Sequence, residues 1–151
     1  MKPIRSLLLL IGAALAVQSG MTSAATLTNL YQFSGPDGVS PVAGLVQGSD
    51  GNFYGTTQGG GTYSQGTVYR VNSAGNLTNL YSFTGGNDGA YPQAGLVQGG
   101  DGDFYGTTYS GGNVGVGTVF RITTGGSLSN LWSFTSGTDG ANPQGGAGAE
   151  H

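Results

Sequence analysis

The chain repeats itself at an interval of about 50 residues, and this repeat limits the possible folds more than any other feature. The segment 27–33 returns at 77–83 and at 128–134, with a spacing of 50 residues for the first copy and 51 afterwards. The segment 50–57, DGNFYGTT, returns at 101–108 as DGDFYGTT. A repeat of this length usually encodes one supersecondary unit, which buries its apolar faces only by lying against its neighbours. The sequence therefore predicts a stack of similar units.

The first 25 residues have the pattern of a cleaved secretion signal. Lys2 and Arg5 form a positive start, the run 7–17 is apolar, and small residues follow at 23–25. A membrane-spanning helix needs about 20 apolar residues, and this run ends before the polar Gln18. We expect a signal peptide at 1–25, a secreted or periplasmic/extracellular product, and no membrane span after cleavage.

The composition of the remaining chain excludes several classes of protein. Apart from the terminal His151, its basic side chains are Arg70 and Arg121, set against seven Asp and Glu. Nucleic acids and anionic lipids are bound by clustered Lys and Arg, so nucleic acid is not an expected partner. The chain has no cysteine, which excludes disulfides, thiol catalysis and thiolate metal sites.

Each repeat contains four short segments that are rich in β-branched and aromatic residues and flanked by Gly, Asn or Asp, as strands are. In the first full repeat these segments are 44–47, 52–57, 67–71 and 77–83. The chain is glycine-rich, with 32 glycines, and most lie between such segments, where tight turns use positive φ. No stretch after Ala25 has helical periodicity.

Four antiparallel strands in about 50 residues are typical of a β-propeller blade. We predict an all-β fold, an incomplete β-propeller-like array of four-stranded antiparallel blades with about two full repeats. The tandem β repeats would occupy 26–144, with units at 42–83 and 93–134, a lone strand at 27–33 before them and a non-repeat tail at 145–151. An open β-solenoid is the alternative architecture.

The motifs of the repeat resemble those of the GloVer tandem-repeat family. They are the strings at 50–57, 66–70, 77–83 and 88–92. The resemblance covers nearly all of 27–143, and the core 44–54 is also similar to the NHL-type propeller repeat. It implies a bacterial exported protein with a propeller-like array, from a family whose members differ in their surface anchor. It brings no known activity and therefore no catalytic residues.

Two repeats are too few to close a ring, because single-chain propellers have about 4–8 blades. An open blade face is a large apolar patch, and such patches drive association, so self-association is expected. A truncated fragment of a longer propeller and a small stacked pair of sheets remain alternatives. The truncation hypothesis rests on the tail after Gln144, where the repeat sequence Ala-Gly-Leu-Val does not return.

Few residues offer catalytic chemistry. The single histidine is His151, so the repeats hold no Ser-His pair and no histidine metal site. Phosphate-binding glycine motifs are absent from the sequence. We predict no catalytic residue.

Carboxylates and tyrosines are the candidate ligand-binding residues. Asp37, Asp88 and Asp139 recur in the Asp-Gly loops between repeats, at the end of the array where the glycine-rich loops also emerge. They would form a ring for a cation or polar ligand, or else make ordinary Asx-type turns. Tyr63 and Tyr109 lie in or beside the glycine-rich loops and suit carbohydrate, or else anchor those loops.

Calcium is the one cofactor that the sequence suggests. Asp50, Asp101 and Asp103 occupy the opposite end of the array, and calcium loops use oxygen ligands at alternate positions. The alternative is a plain Asp-Gly hairpin turn. Arg70 and Arg121 are expected to pair with a carboxylate or to cap an edge strand.

The function expected from these features is that of an exported non-catalytic repeat protein, a binding or cell-surface scaffold. Carbohydrate or another surface protein is the expected partner. The alternative is a propeller-type hydrolase or lyase that acts on glycans or lactones, with a cation-assisted site at the loop of Asp88.

Overall fold

The computed structural model describes residues 28–145, which form eight β-strands in two sheets and no helix. The predicted signal peptide and most of the predicted tail lie outside the described residues. Within the described part of the chain, nothing forms a helix long and apolar enough to cross a membrane.

The two sheets have the same construction. The strands of the first sheet are β1 (Val46–Gln47), β2 (Phe53–Thr57), β3 (Thr67–Val71) and β4 (Leu77–Ser82). Those of the second are β5 (Val97–Gln98), β6 (Phe104–Thr108), β7 (Thr118–Ile122) and β8 (Leu128–Ser133). Neighbours in the sequence pair antiparallel in both sheets. The prediction of four-stranded antiparallel units is confirmed, with bounds within two residues of those expected.

Short turns close the sheets at one end. Asp-Gly joins the first two strands of each sheet, with Gly51 at a φ of 83° and Gly102 at 86°. The turn between β3 and β4 is held by the Asn72 side chain, whose Oδ1 accepts hydrogen bonds from the backbone N–H of Ala74 (3.0 Å) and Asn76 (2.9 Å). These are the local reversals that the glycine and asparagine positions predict.

The sheets share one apolar core. The ring of Tyr54, from the first sheet, stacks on Phe104 of the second with centroids 4.0 Å apart. Phe83 meets the edge of Phe120 at 5.2 Å. All four side chains are fully buried, and burying such a side chain contributes about 1.5–3 kcal/mol. Neither sheet would bury these rings alone, as expected for a repeat unit.

Two sheets do not make a closed ring, so the propeller-like arrangement stays a prediction. The segment 28–34 belongs to neither sheet, although 27–33 was expected to be a strand. A strand requires a hydrogen-bonded neighbour, and none of the described strands pairs with this segment. It is held by its side chains instead: the ring of Phe33 packs on Tyr69 with centroids 4.9 Å apart.

Candidate functional site

The loops that link the sheets and the glycine-rich loops gather at one end of the molecule, which we call the loop end. The backbone of Ala90 exchanges hydrogen bonds with that of Ser110. The N–H of Tyr91 donates to the Gln65 carbonyl at 2.8 Å. The linking loop therefore touches the glycine-rich loops of both sheets, and the candidate residues at 37, 63, 88, 109 and 139 all lie at this end.

The carboxylate oxygens of Asp88 accept hydrogen bonds from donors of its own loop and of the strand before it. It accepts hydrogen bonds from the Tyr81 hydroxyl at 3.0 Å, from the Thr84 N–H at 2.7 Å and from the Thr84 hydroxyl at 2.5 Å. One strand end and one turn are thereby tied to a single side chain. The carboxylate thus holds its own loop, but it does so through a residue four positions earlier and not through the N–H two positions later that defines the predicted Asx-type turn.

The same arrangement occurs at the other two copies. Asp37 accepts from the Tyr31 hydroxyl and from the N–H (2.8 Å) and hydroxyl (3.0 Å) of Ser34. Asp139 accepts from the Trp132 indole N–H at 3.3 Å and from the N–H (3.0 Å) and hydroxyl (2.7 Å) of Thr135. The loop around Asp37 is one residue shorter, yet it keeps the same donors. The motif is therefore a structural unit of the repeat.

These hydrogen bonds set the protonation of the carboxyl groups. The Tyr31 hydroxyl lowers the pKa of Asp37, and the Thr135 hydroxyl lowers the pKa of Asp139. Burial, followed by the bond to Asp88, raises the pKa of Tyr81 to about 12. Asp37 and Asp139 are thus ionised acceptors at neutral pH, whereas a general acid needs a raised carboxyl pKa.

The glycine after Asp37 and the glycine after Asp88 each pack tightly against the sheet that follows. Gly89 has a φ of 102°, and a Cβ there would lie 2.7 Å from the Thr118 hydroxyl and closer still to that of Thr108. These two buried hydroxyls are bonded to each other at 2.8 Å. Gly38 meets Thr57 in the same way. The Asp-Gly pair therefore joins a turn to the following repeat.

The family model for the Gloeobacter/Verrucomicrobia repeat matches residues 16–150, a span that includes both sheets and all three Asp-Gly loops. The chain belongs to this family. The resemblance to the GloVer repeat is thereby confirmed. No curated protein matches the chain.

In this member of the Gloeobacter/Verrucomicrobia repeat family, the candidate calcium ligands lie at the end of the sheets that the short Asp-Gly turns close, opposite the loop end. We call this the turn end. Asp50 accepts from the Tyr54 hydroxyl at 2.8 Å and from the Asn52 side chain at 2.7 Å. Burial acts to raise the pKa of Asp50, but these hydrogen bonds outweigh it and the pKa is lowered. Here too the carboxylate is engaged by donors of its own hairpin.

In the second copy the two candidate aspartates have different partners. Asp101 accepts from the Tyr105 hydroxyl at 2.7 Å, and this bond lowers its pKa. Asp103 lies 3.4 Å from the Arg121 guanidinium, the carboxylate partner expected for that arginine. Among residues 28–145 no three His, Asp or Glu side chains converge as a metal-holding group. Calcium binding here stays a prediction.

The aromatic candidates differ in exposure. Tyr63 is 56 % exposed, whereas Tyr109 is half-buried and its carbonyl accepts a hydrogen bond from the Asn142 side chain at 2.9 Å. This bond ties the backbone at Tyr109 to the segment around Asn142, and ligand binding by the two tyrosine side chains stays a prediction.

Trp132 is a loop-end residue that the sequence analysis did not include among the candidate ligand-binding residues. Its ring is 54 % exposed and is oriented by the bond to Asp139. It lines an open groove of about 460 Å³ together with Asn113, Asn130, Leu131, Ser133 and Thr135. The signal was present in the sequence, because each copy of the repeat has an aromatic residue six or seven positions before the loop aspartate.

Proposed function

We propose that this chain is an exported, non-catalytic member of the Gloeobacter/Verrucomicrobia repeat family that serves as a binding or cell-surface scaffold, with the loop end as its binding surface. One observation carries the proposal: the carboxylates of Asp37, Asp88 and Asp139 are each engaged by donors of their own loop. Acidic groups that hold turns are poorly placed to perform acid–base chemistry. The groups exposed beside them are aromatic rings, amides and hydroxyls.

Carbohydrate is the ligand class that these exposed groups favour. The Trp132 indole offers an apolar ring, and Asn113, Ser133 and Thr135 line the same groove with hydrogen-bonding groups. Binding sites commonly combine apolar and aromatic surface with a few polar groups that orient the ligand. The low number of charges argues for a neutral ligand. Export is supported by the signal-like pattern at 1–25 and by the resemblance to exported proteins.

The binding proposal can be tested with the protein's own fluorescence, because Trp132 is the single tryptophan. We expect neutral oligosaccharides to change its emission in a saturable manner. Trp132→Ala should abolish the binding heat in calorimetry. Tyr31→Ala is the matched control, because it removes the equivalent aromatic of the first copy and should leave binding intact. Binding that survives Trp132→Ala would contradict the assignment to this groove.

The scaffold and enzyme hypotheses are separated by a turnover assay. The protein is incubated with a panel of glycans and lactones, with and without a calcium chelator. We expect no product, and an unchanged melting temperature on chelation. Hydrolysis or elimination that Asp88→Asn removes would favour the enzyme. Fractionation of expressing cells tests export, which requires a processed chain outside the cytoplasm.

A further inference from the structure

The outer faces of the stack carry copies of the residues that hold its two sheets together. The first sheet contributes Tyr54, Leu80 and Phe83 to the shared interface, and the second contributes Leu96, Phe104 and Phe120. The copies of the first set are Tyr105, Leu131 and Phe134, on the outer face of the second sheet. The copies of the second set are Leu45, Phe53 and Tyr69, on the outer face of the first sheet. The outer face of the second sheet thus has the residues to match the outer face of the first sheet.

A comparison of equivalent positions shows what the interface covers. Leu96 is 5 % exposed, whereas its copy Leu45 is 47 % exposed. Leu80 is half-buried against the shared core, whereas its copy Leu131 is 51 % exposed. The difference comes from the neighbouring sheet, because the local sequence and strand register are the same. Leu45 and Leu131 therefore lie on exposed surfaces. Inside the molecule, the surfaces at the equivalent positions are covered by the neighbouring sheet.

The segment 28–33 covers part of the outer face of the first sheet. The Leu30 carbonyl lies beside Gly75 as the Leu80 carbonyl lies beside Gly126. Phe33 packs on Tyr69 as Phe83 packs on Phe120. The segment thus takes the place that β4 takes on the second sheet, but it has no strand pairing of its own. A strand that is hydrogen-bonded within a sheet is held more firmly than this unpaired segment, so it can displace the segment from the face of the first sheet.

We propose that copies of this chain associate head to tail, with the outer face of the second sheet of one copy docking on the outer face of the first sheet of another. The contact repeats the one between the two sheets within the chain. It therefore covers Leu131, which also lines the groove of Trp132, and an oligosaccharide in that groove competes with the docking molecule. The β8 strand of one molecule then replaces the segment 28–33 that lies on Tyr69 of the other molecule. Because the two faces are different surfaces, each copy retains one unused face, and association continues into a ring or an open filament.

Two variants test this arrangement by sedimentation velocity. Leu45→Asp disables the face of the first sheet, and Leu131→Asp disables that of the second. About half of each leucine is exposed and neither belongs to the buried core, so neither variant should unfold. We expect the wild type to form oligomers beyond the dimer, and each variant alone to be monomeric or at least tenfold weaker in association. An equimolar mixture should form a heterodimer that grows no further, because each variant supplies the face that the other lacks.

Val114→Asp is the matched control. Val114 is 57 % exposed, and its copy Tyr63 is 56 % exposed even though a second sheet follows it. This position therefore lies outside the repeat interface, and Val114→Asp should associate as the wild type does. A monomeric wild type would overturn the proposal, because the two exposed outer faces would then not dock on each other. A mixture of the two leucine variants that stays monomeric would overturn the head-to-tail geometry.

The replacement step has its own test. Phe33→Ser removes the side chain that holds the segment 28–33 on Tyr69, and circular dichroism checks that the sheets remain. We expect this variant to associate about tenfold more tightly than the wild type. Equal or weaker association would show that the segment does not compete with β8, and would overturn that part of the proposal.

Discussion

The hydroxyl of Tyr81 donates a 3.0 Å hydrogen bond to the carboxylate of Asp88, seven residues further along the chain. The bond ties the end of β4 to the loop that enters the next sheet. Trp132 makes the same link to Asp139 through its indole N–H. This connection explains why a repeat with few charged residues keeps an aspartate at that position in every copy.

Replacing Asp88 by alanine should destabilise the protein. The Tyr81 hydroxyl, the Thr84 N–H and the Thr84 hydroxyl would lose their acceptor, and the loss of a comparable capping side chain costs about 0.5–2 kcal/mol. Urea unfolding measures the change. Asp88→Asn keeps an oxygen acceptor and should recover part of the stability. Equal losses for the two variants would show that the charge, and not the hydrogen bonds, matters.

The glycine of the same loop provides a matched pair of substitutions. Gly89 and Gly140 both have positive φ, 102° and 88°, so alanine is strained at either position. A Cβ at Gly89 would overlap the buried threonines, whereas one at Gly140 meets nothing within 4 Å. We expect Gly140→Ala to cost about 1 kcal/mol and Gly89→Ala more than about 3 kcal/mol in chemical denaturation. Similar costs would mean that the loop moves freely away from the second sheet.

The stacked rings between the sheets should control the stability of both. Phe104→Ala removes a fully buried ring 4.0 Å from Tyr54 and should cost about 3–5 kcal/mol. Phe53→Ala, at the equivalent and only half-buried position of the first sheet, should cost about 1–2 kcal/mol. Calorimetry should show one unfolding transition for the wild type. Two separate transitions would contradict a shared core.

Acid should weaken the fold through the hydrogen-bonded aspartates. The pKa values of Asp37, Asp50, Asp101 and Asp139 are lowered in the folded state. Their contribution is present above the unfolded carboxyl pKa of about 3.9, and it is lost as the pH falls through the lower folded values. The melting temperature should therefore be level from about pH 5 upwards and fall below about pH 4. Asp37→Asn should make the acid fall shallower, and an unchanged profile would contradict this cause.

Much of the fold was predictable because the repeat makes each local signal appear twice. The β-branched and aromatic residues of each segment, with the Gly, Asn and Asp that flank them, predicted the strands of both sheets. The segment 27–33 has almost the same sequence as 77–83. Its described residues, 28–33, form no strand, whereas the residues 77–82 do, because they have β3 to pair with.

The candidate site was less predictable than the fold. Asp37, Asp88 and Asp139 were found by their recurrence, but recurrence does not distinguish a turn from a ligand site. The contacts that engage these carboxylates come from Tyr31, Tyr81 and Trp132, whose side chains reach them only when the loop folds back on the strand.

The sequence by itself determined that this protein is an array of small antiparallel units, because strand patterns and turn residues act over a few neighbours. The tertiary structure decided which copies are covered. Leu96 and Leu45 have the same local setting, but only Leu96 lies under another sheet. Burial depends on which surfaces meet in space, and that is a property of the whole assembly of sheets.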